Sequence, residues 1–329
     1  MYHEFRVNAQ DRHAPGYGGY DEGVTSPTTR LRSSLPATAG GTHTRAYALS
    51  DWGVLAVIAV IWGSSFLLQE IGLRAFAPGV ITLARVALGA GTLALFARAR
   101  TPVDREDWGR IALLGAVWMA LPLTLLPIAQ ESIDSSVTGM INGAMPIFTA
   151  AWATYLLRRL PGWRQLLGIG LGFTGIVLVF LPELRAGVDE ISGALVALFA
   201  ISFYGLATNL AVPLQQKYGS LPVILRVQLV ALVMVAPIGL AQLPSSTWSW
   251  EAAAAMLPLG VLGTGLAFVL MATLTGRVGG PRASVAIYFV PLVAIVLGVL
   301  VLGETVAPVA LVGVLLVITG AWFASRRES

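Results

Sequence analysis

The sequence predicts an all-α integral membrane protein: ten transmembrane helices, built as two inverted five-helix repeats around a central cavity. Three observations carry this expectation. Of the 329 residues, 56% are hydrophobic and only 12% charged, where a soluble domain carries roughly 25% charged residues. From Asp51 onward the chain reads as successive apolar runs, each close to the ~20 residues a helix needs to cross the hydrocarbon. The basic residues between those runs are distributed as the positive-inside rule demands.

Residues 1–50, including "APGYGGYDEGVTSPTTRLRSSLPATAGGTHTR", are rich in Gly, Pro, Ser and Thr. They hold too little apolar surface to fold alone and are expected to form a disordered cytoplasmic tail. They also lack the basic, apolar and small-residue order of a signal peptide. The ten runs are 52–71, 78–97, 109–130, 134–157, 163–181, 191–212, 221–242, 252–274, 282–302 and 306–324. "RARTPVDREDWGR" and "LPELRAGVDEIS" are clear breaks; "RRLPGW" and "LGETVAP" are tighter ones. With the N-terminus in the cytoplasm, 18 of the 21 basic residues fall on inside segments and only Arg74 and Arg185 outside. Both termini are therefore expected in the cytoplasm, with 326–329 a short C-terminal end. The remaining basic residue, Arg85, sits within the second run.

The second half resembles the first. At an offset of 145, Pro146 falls on Pro291, Leu157 on Leu302, Leu166 on Leu311, Gly168 on Gly313, and Thr174-Gly175 on Thr319-Gly320. Trp62-Gly63 and Tyr204-Gly205 occupy similar places in runs one and six. The repeats are expected over 51–182 and 183–325. Five crossings is an odd number, so the second copy enters the membrane inverted. Inverted repeats generate two conformations, open to opposite sides, around a site near the midplane.

Composition excludes several functions. There are no cysteines, and the three histidines, His3, His13 and His43, all lie in the tail. Thiolate chemistry, disulfides and cysteine metal sites are thereby excluded, and no imidazole is available inside the apolar body for metal binding or general-base work. No run carries paired carboxylates, and no GxxxxGK[ST] stretch is present, so neither enzyme activity nor ATP-driven pumping is expected. No cofactor is implied. The pI of about 9.7 arises from scattered arginines rather than one patch, so a nucleic-acid partner is not expected.

Side chains three and four apart share a helix face, which picks out the polar stripes. Run one aligns Trp62, Ser65 and Gln69; run two Thr82, Arg85 and Gly89; run four Thr138, Asn142, Met145 and Thr149, continued by Trp152; run six Ser202, Gly205 and Asn209. Pro146 and Pro291 cannot donate to the carbonyls of Asn142 and Ile287, the latter beside Tyr288. A freed carbonyl in hydrocarbon needs a partner or a water-filled cavity. The candidate cavity lining is Trp62, Ser65, Arg85, Thr138, Asn142, Pro146, Tyr204, Asn209, Tyr288 and Pro291, with Gly303 and Glu304 as structural or gating candidates. The alternative for the hydroxyl residues is helix packing, at about 0.6 kcal/mol per hydrogen bond; for Trp118 and Trp163, interfacial anchoring; for Glu304, a structural cap. A charge at the bilayer centre costs about 3 kcal/mol, so Arg85 must face the bundle interior. Two roles stay open for it: gripping a substrate carboxylate or phosphate, or bonding proline-freed carbonyls or Glu131 or Asp134.

"VIAVIWGSSFLL", "PGVITLARVALGAGTLAL" and "LGETVAPVALVGVLLVITGAW", in this order and spacing, resemble the EamA-type transporters of the drug/metabolite transporter superfamily over about residues 50–325. The resemblance implies a ten-helix bundle with a central cavity and export of amino acids or other small metabolites. Arg85 and Gly303-Glu304 fall where that family often carries the same residue types. The expected function is secondary transport in the inner or plasma membrane, exporting a small amino acid-like or organic metabolite by alternating access. An exchanger of anionic or phosphorylated metabolites, a passive channel and a membrane scaffold are the alternatives. Partners are the metabolite, the lipid bilayer and, in a coupled mechanism, a proton; the oligomeric state is left open.

Overall fold

A computed structural model describes residues 48–158, 162–278, 283 and 285–324. The expected tail, apart from residues 48–50, and the expected end at 326–329 lie outside the described residues. Helix occupies every apolar run: α1 Leu49–Leu73, α2 Pro78–Ala94, α3 residues 108–130, α4 Ser135–Asn142, α5 Met145–Leu157, α6 Trp163–Phe180, α7 Val188–Tyr218, α8 Ser220–Ala241, α9 residues 250–278, α10 residues 285–302 and α11 Pro308–Ala324. Among the described residues no strand is present. Among the described residues six helical stretches are long and apolar enough to cross a membrane, and the apolar helices Pro78–Ala94, Ala286–Leu302 and Pro308–Phe323 are shorter.

Helix ends obey local chemistry. Pro78 opens α2, where its missing N–H is not needed. Asp189 and Glu190 in the first turn of α7 and Lys217 in its last oppose the helix dipole, and this helix runs past the expected 191–212 at both ends. Between α7 and α8 the chain turns on Gly219 at φ 79°, a left-handed conformation that suits glycine.

Run four departs from expectation. It is two helices, not one, because the chain tightens at Gly143 and Ala144, whose N–H groups donate to the carbonyls of Met140 and Ile141 at 3.1 and 2.9 Å. Pro146 therefore stands in the first turn of α5 rather than mid-helix. Gly143 leaves room for Pro291, whose Cγ lies 2.9 Å from where a Cβ would stand.

The helix phase also slips in three places. Gly115–Ala120 in α3, Leu259–Leu266 in α9 and Gly298–Leu302 in α10 are π-helical. Each extra residue per turn rotates the next turns relative to a regular helix, and such segments are frequent at functional sites.

The helices pack in recurring pairs: α1 on α10 and α7 on α5, α2 on α9 and α8 on α3, α1 on α9 and α7 on α3, α2 on α8, and α6 on α11. Glycines set the closest approaches. A Cβ on Gly175 would stand 2.6 Å from the Gly313 carbonyl oxygen and the Val317 nitrogen. One on Gly313 would stand 2.7 Å from the Gly175 carbonyl oxygen, and one on Gly320 2.5 Å from the Gly168 oxygen and the Gly172 nitrogen. Helices α6 and α11 thus meet backbone to backbone, as small residues allow in membranes. Gly63 is filled by Val293 and Gly205 by Phe148; Gly115 abuts Val230 and Gly260 abuts Leu88.

Candidate functional site

Between α1, α2, α3, α4, α5, α7, α9 and α10 lies a cavity. The periodicity of α1 supplies one wall. Trp62, Ser65, Phe66 and Gln69, at spacings of three, four and seven, all line the cavity. Opposite stand Trp118 from the π segment of α3, Tyr204 from α7 and Phe268 from α9. The Phe268 ring meets Trp62 and Trp118 edge-on, at centroid distances of 5.4 and 5.6 Å. Such edge-to-face pairs are favourable geometry for aromatic rings.

Arg85 is the charged residue of the lining, and it is only 5% exposed. Its Nε donates to Thr264 Oγ1 at 3.1 Å and its Nη1 to Gln69 Oε1 at 2.9 Å. Behind Gln69 the network continues: Gln69 Nε2 donates to Gln130 Oε1, and Gln130 Nε2 to the Phe66 carbonyl at 3.1 Å and Glu70 Oε2 at 3.3 Å. Thr264 belongs to the π segment of α9. Its hydroxyl donates to the Leu259 carbonyl five residues earlier, at 3.2 Å, while its own carbonyl accepts from Gln228 Nε2. Among the described residues neither Glu131 nor Asp134, nor a proline-freed carbonyl, accepts from Arg85; Gln69 and Thr264 do.

Three cavity groups have no hydrogen-bond partner among the described residues: Arg85 Nη2, the Tyr204 hydroxyl and the Asn142 amide. None of them is sealed from the cavity as an orphaned buried atom. Asn142 is 7% exposed. Polar groups in such surroundings cost about 1–3 kcal/mol each if left unpaired, so they call for water or a ligand.

Of the ten lining candidates, Trp62, Ser65, Arg85, Asn142 and Tyr204 come together at the cavity. The others serve the scaffold and do not line it. Thr138 is fully buried and donates to the Asp134 carbonyl at 3.1 Å. Asn209 Nδ2 ties α7 to α5 by donating to the Thr149 carbonyl at 3.0 Å. The Tyr288 hydroxyl donates to the Ala321 carbonyl at 2.7 Å, joining α10 to α11. Pro146 and Pro291 are buried at the α4–α5 break and in α10. Trp62 itself has a second duty, its Nε1 donating to the Gly263 carbonyl at 3.1 Å. Trp118 is buried in the cavity wall and is no interfacial anchor, whereas Trp163 is 63% exposed.

Glu304 lies at the end of the bundle. Its Oε1 accepts from the Ser135 N–H at 3.0 Å and Oε2 from the Ser136 N–H at 2.9 Å, so the carboxylate caps α4. Gly303, at φ 71°, makes the left-handed turn that brings it there. Gly298 is the glycine that accommodates the carboxylate, since a Cβ there would collide with Glu304 Oε2. Sequence reasoning left out Phe66, Trp118, Leu126, Phe268 and Ile287, which line the cavity, and Thr264, which anchors Arg85.

Comparison with known proteins agrees with this architecture. The sequence matches the EamA-like transporter family twice, over residues 51–181 and 191–326. It is 25% identical over 278 residues to the uncharacterized transporter YoaV of Bacillus subtilis, covering 82% of this chain and 94% of that protein. It is 27% identical over 277 residues to a probable terminal-alkyne amino-acid exporter of Streptantibioticus cattleyicolor, covering 83% and 92%. A shorter match, 33% identical over 138 residues, is to an S-adenosylmethionine/S-adenosylhomocysteine transporter of Chlamydia muridarum, covering 41% of this chain and 42% of that protein. One crystal structure aligns with a TM-score of 0.62 at 15% identity, covering 84% of this chain and 97% of its own, a likeness of fold alone.

Proposed function

This chain belongs to the EamA-like transporter family, and we propose that it exports a small amino acid-like or organic metabolite across the cell membrane by alternating access. The observation that carries the cargo class is the cavity: one buried guanidinium with an unpaired Nη2, a phenol and an amide nearby, and aromatic walls. That set suits a molecule with one acidic group and an apolar body. A phosphate ester would call for more than one cation, and among the described residues Arg85 is the single charged one of the lining. The relative named as an amino-acid exporter supports the same class.

Alternating access rests on an inverted duplication, which the packing supports. Under the offset of 145, Gly175 corresponds to Gly320 and Gly313 to Gly168, so the Gly175–Gly313 contact maps onto Gly320–Gly168. Val293 corresponds to Phe148, and these fill Gly63 and Gly205; Gly115 corresponds to Gly260, and each abuts the second helix of the other repeat. Trp62 and Tyr204 face one cavity. The two halves would rock about the α6–α11 seam and the paired contacts, exposing the cavity to either side. Both chain ends then lie in the cytoplasm, a placement the arginine distribution supports.

The test is counterflow in proteoliposomes with a labelled panel of amino acids and organic acids, for the wild type, Arg85→Gln and Arg85→Lys. Saturable flux of an acid-bearing member by the wild type, lost in both folded variants, is the expected result. No saturable flux for any member, with or without a proton gradient, overturns the reading; loss of folded protein in both variants assigns Arg85 to the scaffold instead.

A further inference from the structure

The guanidinium of Arg85 is held from two helices, α1 through Gln69 and α9 through Thr264. These two hydrogen bonds occupy Nε and Nη1, and a planar group pinned at two nitrogens has no rotation left. Nη2 is the nitrogen that keeps both N–H groups for a ligand. We propose that Thr264 is a positioning residue for substrate recognition: it sets the plane of Arg85 so that Nη2 meets the substrate's carboxylate, and thereby makes the carrier prefer the acid over its neutral amide. This rests on the reading of the cavity as a transport site.

The local fold explains why a threonine at this position can do so. In a regular helix its hydroxyl would bond a carbonyl three or four residues earlier; in the π segment it reaches Leu259, five earlier, at 3.2 Å. The hydroxyl proton is thus committed, and the oxygen lone pairs are left for the Arg85 Nε–H at 3.1 Å. The carbonyl of Thr264 is in turn held by Gln228, so the residue is fixed from both sides. Thr264 is fully buried, and Gly89 on α2 gives its methyl group room: a Cβ on Gly89 would stand 3.0 Å from Thr264 Cγ2. A guanidinium with its plane fixed binds a carboxylate directionally, whereas a carboxamide offers one acceptor and no charge.

Thr264→Val keeps shape and removes the acceptor; Thr264→Ser keeps the acceptor. The measurement is counterflow in proteoliposomes of labelled leucine, methionine and phenylalanine, with leucinamide, methioninamide and phenylalaninamide as inhibitors. The readout is the ratio of the amide's inhibition constant to the acid's KM. Thr264→Val is expected to lower that ratio by about tenfold or more, the scale of one hydrogen bond to a charged group, by raising KM for the acid while maximal flux holds. Thr264→Ser is expected to restore the ratio to within about twofold of wild type. If Thr264→Val weakens acid and amide equally, or Thr264→Ser fails to restore the ratio, the positioning role is wrong while the transport reading stands. If the wild type carries none of the three acids and is inhibited by none of the amides, the proposal fails together with the cargo class. Should Thr264→Val not fold, Gln69→Leu removes the other tether and must lower the same ratio; an unchanged ratio there also overturns the inference.

Discussion

The seam between α6 and α11 offers a sharp test of the packing. Gly175→Ala adds a Cβ that would stand 2.6 Å from the Gly313 carbonyl oxygen and the Val317 nitrogen, where ordinary contacts begin at 3.4 Å. Both obstacles are backbone, so no side chain can turn aside and the helices must separate. Overpacking of this kind costs about 1–3 kcal/mol. Replacing a helical glycine by alanine returns about 1 kcal/mol of propensity, which leaves a net loss of up to about 2 kcal/mol and places Gly175→Ala about 1–3 kcal/mol below a glycine-to-alanine change that meets no obstacle. Gly170 is the control, since a Cβ there meets nothing within 4 Å; Gly170→Ala retains the propensity gain and is expected to match or exceed wild type. Gly320→Ala, facing the Gly168 oxygen and Gly172 nitrogen at 2.5 Å, is expected to behave like Gly175→Ala. The assay is thermal melting of detergent-solubilised protein, with surviving monodisperse material measured by size-exclusion chromatography. A Gly175→Ala protein as stable as the Gly170→Ala protein would refute the backbone seam.

Other contacts carry outcomes of their own. Glu304→Gln removes the charge from the cap on Ser135 and Ser136 and is expected to lower stability by about 1 kcal/mol, read as a fall in melting temperature. Gly298→Ala displaces the same carboxylate and is expected to lower melting at least as much; additivity of the two in a double variant would contradict a shared site. Asn209→Leu removes the donor that joins α7 to α5 through the Thr149 carbonyl, at about 1–2 kcal/mol of stability, with counterflow KM unchanged because Asn209 does not line the cavity. At the other end of the bundle, hydrogen bonds from Lys217 and Tyr218 hold the Asp104 carboxyl below its usual range. Its contribution is therefore complete above the ordinary carboxylate pKa of about 4 and is lost as pH falls through the lowered value. Asp104→Asn is expected to flatten that part of the melting profile and leave the difference from wild type constant between about pH 6 and 8.

Much of this architecture is legible in the sequence because burial in lipid writes itself in composition. Arg85 had to face the interior, and it does; the 62, 65, 69 stripe of α1 comes from regular helical spacing and lines the cavity. Trp118 and Thr264 lie in π segments, where a count by threes and fours does not give the face. Gly143 and Pro146 were visible, yet residue types alone do not distinguish a kink from the full break between α4 and α5. Tyr288 could have turned its hydroxyl either way, and the neighbouring Ala321 carbonyl decides it. The cap made by Glu304 depends on α4 lying opposite in space, 168 and 169 residues away in sequence.

The absence of cysteine from the sequence makes one measurement especially direct. Ser65 lines the cavity, and Ser65→Cys changes a single atom there. In oriented vesicles, an impermeant maleimide applied to either face in turn reports whether that cavity is reached from both sides. Alternating access requires reaction from both faces; a thiol that reacts from one face alone, or from neither, contradicts it.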